Sequence, residues 1–487
     1  MADDELILAI DQGTGSSKAL LVDRQGEIIA KGSAPLTQTH PRPGWVEQSL
    51  DDIWDSIQRA VTQAMTGRDP AKVVAVGLST QRESLVLWDR ETGKPVSPLI
   101  SWQDQRTAQT CQDLIDHGHG HLVRAISGLP LDPMFSATKA GWLLDEHDPD
   151  RARSRRGELC LGTVDSFLLS RFGGEHVIEI GNASRTQLLN VRQRAWDPEL
   201  LDLFGIPVQV LPRVVPSTGP FPRAAGLAGL PTAPPVTAVM GDSHAALFAH
   251  AAWQPGTVKA TYGTGSSVMG VCAPGTDVGE ALCLTIAWQD EEPAYAVEGN
   301  IRASGATLIW LANLLGSTPG QLADLAATSD NGGVHIVPGF NGLGAPWWDR
   351  AATGIIAGLT LGTEPRHIAR AALESIVLQV EDVVAAVHDA VAPVDVLLAD
   401  GGASANPVLM QLQADTSGRQ VHRALAGDLS PLGAAHLAGR RADVWDQADL
   451  RNLIRRRRTF EPQSGQAARD SAGESWRFAL ARARRQP

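Results

Sequence analysis

"ILAIDQGTGSSKALLVD", residues 7–23, sets an acid, two glycines, three hydroxyls and a lysine between two apolar runs. The flanking runs, residues 6–10 and 19–22, are too short for helices and are bounded by turn-forming residues, so the stretch reads as a β-hairpin. A P-loop requires a Gly-Lys-Ser/Thr ending that opens a helix, and a dinucleotide fingerprint requires a third glycine where Lys18 stands. Neither pattern fits. What is left is a tight Gly-Thr-Gly turn whose backbone N–H groups can face an anion, helped by hydroxyls and one ammonium. Taken alone, the loop is either a phosphate cradle or a plain turn between strands.

The same word, GTGSS, recurs at residues 263–267. Each copy follows a strand-like stretch ("LILAIDQ", "TVKATY") and precedes another ("KALLV", "VMGVC"), which predicts two related domains, each opening with a similar hairpin. A third glycine site differs: "VDVLLADGGASANPVLMQLQAD" reads as a buried strand, a Gly401-Gly402 turn and a helix starting near Asn406-Pro407. That arrangement brings bare backbone and a positive helix end together, as a nucleotide requires.

Strands alternate with amphipathic helices elsewhere, the mark of an α/β protein. Ser49 is placed to cap "LDDIWDSIQRAVTQAM", with Ile53, Trp54, Ile57, Val61 and Met65 on one face. "HIARAALESIVLQVEDVVAAV" is a long helix whose apolar stripe needs only a core to explain it. The Pro/Gly/Ala-rich residues 212–235 are expected to end the first domain and "VTAVMGDSHAALFAH" to begin the second, giving domains 1–236 and 237–441 and a helical extension 442–487. Arg455 to Arg458 are expected on a solvated C-terminal helix.

The 487 residues leave room for two or three domains, and a net charge of −12 argues against a nucleic-acid or anionic-membrane partner. Four cysteines without a CxxC pair, an acidic "MADDEL" start and no membrane-length apolar run point to the cytoplasm and to no structural zinc.

Phosphoryl transfer needs an acceptor in line, a magnesium ion on the phosphates, anion-stabilising donors and a group to take the acceptor's proton. Asp11 ends the first strand beside the first loop, where it can hold Mg²⁺ directly or through water. Asp242, in "VMGDSHAAL", follows an apolar strand, and the duplication is expected to set it across a cleft from Asp11 as the base. Each aspartate is otherwise a cap or a turn residue. A serine-hydrolase reading of "GDSH" fails, because triad partners meet in space rather than in sequence and both phosphate loops would stand idle. "LSTQRESLVLWD" and "LISWQDQRT" place Arg82, Glu83, Trp102 and Asp104 at strand ends, a set suited to hydroxyls with an indole over an apolar face.

With these stretches, and with "PRPGWVEQSLDDIW", "SGLPLDPMFSATK", "GNASRTQLLN" and "VPGFNGLGAPWWD", the chain resembles the FGGY carbohydrate kinases over nearly its full length, and within them the glycerol kinases most. The resemblance implies an α/β fold of two actin-like ATPase (ribonuclease H-like) domains around a central cleft that closes on ATP and a polyol or sugar. It makes Asp242 the catalytic base and, with Asp11, a magnesium-site residue. Thr14, Gly15, Ser16 and Lys18 would meet the phosphates from the first domain, and Gly263 and Thr264 from the second. Gly305, Ile309, Gly402 and Asn406 would line the nucleotide, while Arg82, Glu83, Trp102, Met134, Asp242, Ser243 and Ser267 would line the acceptor. Oligomers such as a dimer or tetramer are compatible with it.

Met134 stands where glycerol kinases usually present a tyrosine, Ser267 where they present a phenylalanine, and Ser243 where a glutamine flanks the base. Ile309 replaces an adenine-side glutamine, and no glycine-lysine-rich regulatory loop is visible in "STGPFPRAAGLAGLPTAPP". The aromatic losses widen the pocket, with Met134 as flexible filler. The expected function is therefore ATP-dependent phosphorylation of a primary hydroxyl of glycerol or a related small polyol or sugar. The alternatives are a tetritol or pentulose kinase, a non-catalytic sensor, or an ATPase acting on a protein partner; the last leaves Arg82, Glu83 and Trp102 unexplained.

Overall fold

The computed structural model describes residues 5–484, so the acidic "MADD" and the last three residues of the tail lie outside the described residues. Two compact units interleave along the chain. The first takes in the chain to Ala251 together with Leu284–Tyr295 and Asp428–Ile454; the second takes in Ala252–Cys283, Ala296–Gly427 and the chain from Arg455.

The opening hairpin is the spine of the first unit. Leu6–Gln12 pairs antiparallel with Ser16–Val22, which pairs with Ile28–Pro35, while on its other side Leu6–Gln12 runs parallel to Val73–Thr80. Leu6, Leu8 and Ile10 cluster with Ile53, Ile57 and Val61 of helix Leu50–Met65, whose Ser49 cap accepts from the Asp52 N–H. Ile7 lies instead against Gly439 of helix Leu429–Arg441. Because strand side chains alternate, the two helices cover opposite faces of one sheet, and Leu6–Gln12 is buried along its whole length.

Two expected boundaries change for this reason. Strand Val236–Gly241 does not open the second unit; it pairs parallel with Val73–Thr80 as the fifth strand of the first sheet, carrying helix Asp242–Ala249 with it. Helix Leu429–Arg441 likewise belongs to the first unit, where it covers a sheet face that would otherwise be bare. It packs backbone to backbone on helix Asp242–Ala249: a Cβ on Gly433 would stand 1.8 Å from the Ala245 carbonyl oxygen.

The return of Leu284–Tyr295 to the first unit is held by small polar groups. Leu284 N–H donates to Gly128 O at 2.9 Å, Ile286 N–H to Ser184 Oγ at 3.1 Å and Gln289 N–H to Ser217 Oγ at 2.8 Å. Ser217 Oγ donates in turn to Glu179, a buried carboxyl that caps Gly181 and Asn182. Burial pushes Glu179 up to about 8 against the pull of those hydrogen bonds.

The second unit repeats the design. Thr257–Tyr262 and Ser266–Cys272 form the second hairpin, and Thr257–Tyr262 runs parallel to Val396–Asp400, which runs parallel to Gln420–Ala424. In both sheets the loop-bearing strand lies between its hairpin partner and two successive parallel strands, so the GTGSS repeat marks a repeated architecture. The arginine-rich tail departs from its expected helix: Arg457–Phe460 is a strand pairing antiparallel with Gln420–Ala424, and the last helix is Gln466–Ala483. Among the described residues no helix is long and apolar enough to cross a membrane.

Gly433→Ala is expected to cost on the order of 3 kcal/mol, read as a lowered Tm, because the clash is with backbone. Gly427→Ala, where a Cβ meets nothing within 4 Å, is the matched control and leaves Tm nearly unchanged. The Glu179 carboxyl binds its proton more tightly folded than unfolded, so stability falls as pH rises from about 4.5 to about 8. Urea titrations across that range are expected to show the decline in the parent chain and a shallower one in Glu179→Gln.

Candidate active site

The site in the first unit is assembled at the carboxyl end of the parallel strands, where open α/β sheets bind ligands. Asp11 is buried at the end of Leu6–Gln12 and lies in register with Ser79, whose Oγ donates to Asp11 Oδ1 at 2.8 Å. Burial pushes the Asp11 carboxyl up to about 7; Ser79 pulls it down, Asp242 pushes it up and Lys18 pulls it down again. Asp242 therefore stands on the same sheet as Asp11, two strands away, rather than across a cleft in the second half. Among the described residues no cluster of three or more His, Cys, Asp or Glu forms a ready-made metal cage. Two carboxylates near enough to interact, one disfavoured as an anion by burial, nonetheless fit Mg²⁺, which commonly takes one or two protein carboxylates and fills its sphere with phosphates and water.

Asp242 opens helix Asp242–Ala249 directly after its strand, its Oδ1 accepting from the Ser243 N–H at 2.6 Å and lying 3.3 Å from Arg82 Nε. Gly241 makes the approach possible, because a Cβ there would meet the Arg82 methylenes at 2.6 Å. Arg82 also reaches His244 Nε2 at 3.4 Å. Glu83 sits at φ 63°, a left-handed conformation that costs a non-glycine residue about 1–3 kcal/mol. It is held there at both ends, its carbonyl by Ser136 Oγ at 2.9 Å and its carboxylate by Arg185 Nε at 2.6 Å. Arg185, fully buried and invisible to sequence reasoning as a site residue, supports Glu83 from below.

Trp102 joins this group to the opening loop: its Nε1–H donates to Thr14 Oγ1 at 3.0 Å. Lys139 is fully buried, its ammonium donating to the Met134 carbonyl at 2.8 Å and the Ser101 carbonyl at 3.2 Å. Burial lowers Lys139 to about 8, against the neighbouring Asp104, Glu83 and Asp132. Asp104 falls out of the hydroxyl-binding set. Both its oxygens are taken, by the Arg106 side chain and N–H and by the Val46 N–H.

Lys18, on the second strand of the hairpin, donates to Asp428 Oδ1 at 2.9 Å, while Lys31 takes Oδ2 at 2.8 Å. Burial works against the Lys18 charge, and Asp428 together with Asp11 more than offsets it. Asp428 begins the segment that returns to the first unit, a partner no local pattern announces.

In the second unit, Gly263 N–H donates to Gly265 O, and Gly305 and Ala306 donate back to the Gly263 and Thr264 carbonyls, so helix Gly305–Leu314 starts on the loop. Ile309 is 54% exposed on that helix. Gly401, at φ 87°, turns strand Val396–Asp400 into the Gly402–Ala405 turn, and Asn406 Oδ1 caps helix Pro407–Ser417 by accepting from Val408 and Leu409. Ser267 Oγ donates to Glu298 Oε1 at 2.7 Å, beside Asn300. The predicted residues thus fall into two sets. Asp11, Thr14, Gly15, Ser16, Lys18, Arg82, Glu83, Trp102, Met134, Asp242 and Ser243 belong to the first unit, and Gly263, Thr264, Ser267, Gly305, Ile309, Gly402 and Asn406 to the second.

Residues 6–249 match the N-terminal domain of the FGGY family of carbohydrate kinases, and residues 258–442 match its C-terminal domain. The chain is 42% identical over 490 residues to an apulose kinase of Pectobacterium atrosepticum, covering 99% of each chain. It is 43% identical over 483 residues to a glycerol kinase of a Geobacter species, covering 97% of each. Among solved structures, the Plasmodium falciparum glycerol kinase with ADP superposes with a TM-score of 0.90 at 27% identity, over 99% of both chains. A xylulose kinase of Lactobacillus acidophilus shares the fold, with a TM-score of 0.86 at 21% identity over 98% of each. The chain belongs to the FGGY family of carbohydrate kinases, and is a phosphotransferase acting on an alcohol group with ATP as donor.

Proposed function

We propose that this kinase transfers the γ-phosphoryl group of ATP to a primary hydroxyl of glycerol or a related small polyol or sugar, with Asp242 as general base. The observation that carries the reading is the Asp242–Arg82 contact at 3.3 Å, two strands from the buried Asp11. Arg82 fixes the direction of the carboxylate, which takes the acceptor's proton as its oxygen bonds to phosphorus and the bond from phosphorus to the bridging oxygen of ADP breaks. Arg82 and Glu83 are suited to the remaining hydroxyls, and the Trp102 indole to the carbon face of the acceptor.

Asp11 and Asp242 would hold Mg²⁺, which when bound neutralises charge on the transferring phosphates. Thr14, Gly15, Ser16 and Lys18 supply donors toward the phosphates; in exchange for Asp428, the Lys18 ammonium takes a phosphate oxygen. Within the second unit Thr264 offers its N–H and hydroxyl in the same way, with Gly263 shaping the loop through its N–H bond to Gly265 O. Ile309, Gly402 and the Asn406 amide Nδ2 face the nucleoside. A cytoplasmic site of action agrees with four buried, unbridged cysteines.

The relatives' names bracket the acceptor between a three-carbon polyol and a larger ketose. Met134 and Ser243, both in the first unit, stand where the resemblance to glycerol kinases expects a tyrosine and a glutamine, which favours a four- or five-carbon acceptor as the second reading.

Two measurements test the assignment. Asp242→Asn is expected to lower kcat by about 10²–10⁴-fold while the KM for ATP moves little, and near-normal turnover would refute Asp242 as base. ADP release measured with Mg²⁺ across glycerol, erythritol, xylitol, ribulose and xylulose, with an acceptor-free blank, ranks the acceptors by kcat/KM. A rank led by glycerol supports the first reading; one led by a larger acceptor replaces it with the second.

A further inference from the structure

Beneath the first loop lies a closed ring of hydrogen bonds. Trp102 Nε1–H donates to Thr14 Oγ1 at 3.0 Å, and the Trp102 backbone N–H donates to Ser84 Oγ at 3.0 Å. Ser84 Oγ donates to Gln81 Oε1 at 2.8 Å, Gln81 Nε2 to Gln48 Oε1 at 3.0 Å, and Gln48 Nε2 to the Thr14 carbonyl at 2.8 Å, which closes the circuit. Gln81 Nε2 also reaches Gln12 Oε1 at 3.1 Å, which anchors the ring to the end of the first strand. Gln48, Gln81 and Ser84 are almost fully buried, whereas Thr14 and Trp102 are partly exposed.

From this geometry we infer that Gln48 is a positioning residue that couples the seating of the acceptor to the setting of the phosphate loop. The inference rests on the reading of Trp102 as acceptor-facing and Thr14 as phosphate-facing. Thr14 is gripped at both polar ends, its hydroxyl by the indole and its carbonyl by Gln48, so the peptide units of the Gly-Thr-Gly turn are oriented by the same ring that holds the indole. A shift of Trp102 strains the bond to Thr14 directly and, through Ser84, Gln81 and Gln48, the bond to its carbonyl. Buried polar atoms have no water to fall back on, so opening the ring at one point leaves others unsatisfied and the members act as a unit. An acceptor that fixes the indole thereby fixes the donors that meet the γ-phosphate, and ATP meets an aligned loop chiefly when an acceptor is in place.

Gln48→Leu keeps the volume and removes both of the Gln48 bonds; Trp102→Phe keeps an aromatic face and removes the Nε1–H. The readout is the ratio of acceptor-stimulated phosphoryl transfer to acceptor-free ATP hydrolysis, with the KM for acceptor measured in parallel. Each variant is expected to lower that ratio about fivefold, the equivalent of one net hydrogen bond, through kcat and with the acceptor KM moving less than about threefold. The double variant is expected to lose no more than the worse single, because either change opens the same ring. A ratio left unchanged, or single losses that multiply in the double variant, overturns the coupling and leaves Gln48 a structural residue. Should Gln48→Leu fail to fold, Gln81→Leu, which removes the link to Gln48 without touching Trp102 or Thr14, decides by the same ratio. A parent chain that transfers phosphate to no acceptor brings down the proposed function and the ring with it; a parent chain that transfers normally beside unaltered variants brings down the ring alone.

Discussion

The register of one central strand decides where the chemistry is. Val73–Thr80 is flanked in parallel by Leu6–Gln12 and Val236–Gly241, with Ser79 opposite Asp11 and Thr80 opposite Gly241. The residues that follow it, Gln81, Arg82 and Glu83, therefore emerge between the strand that delivers Asp11 and the strand that delivers Asp242. A slip of one residue would turn Ser79 to the opposite face and leave the buried Asp11 carboxylate without its hydroxyl. Packing enforces the register from both faces, through helix Leu50–Met65 on one side and Leu429–Arg441 on the other.

On that frame the site stores unfavourable terms and compensates them with neighbours. Asp11 is an acid that burial makes reluctant to ionise, Lys139 a base that burial makes reluctant to protonate, and Glu83 a left-handed residue that is not glycine. Each is over-determined by specific partners: Ser79 for Asp11, two carbonyls for Lys139, Ser136 and Arg185 for Glu83. Strain concentrated in this way is usual where a protein must present charge to a ligand.

The hairpin, its repeat, the Gly401 turn and the Ser49 cap were legible in the sequence because each is written in consecutive residues with a characteristic period or turn chemistry. The place of Asp242 was misjudged because the linker before Val236 looks like a domain end, and pairing with a strand some 160 residues earlier leaves no local trace. Asp428, Arg185, Gln48 and Gln81 escaped for the same reason: a lone polar residue has no periodicity, and its partner is chosen by the fold. Asp104 shows the converse error, since clustering in sequence beside Trp102 suggested a ligand contact where the oxygens serve Arg106 and Val46. The tail arginines, lacking an apolar stripe, gave no warning that two of them fall in a strand.

The order in which the chain is written also bears on how it is made. The first sheet lacks the cover of one face until helix Leu429–Arg441 exists, although its own strands are complete once Val236–Gly241 has been added. On a ribosome that adds about 5–20 residues per second, the amino-terminal half must wait on the order of ten seconds with an apolar surface exposed. The half that is synthesised first is thus left unfinished until the chain is nearly complete, and a chain truncated just before Asp428 would retain all five strands of that sheet and still lack the cover of one face.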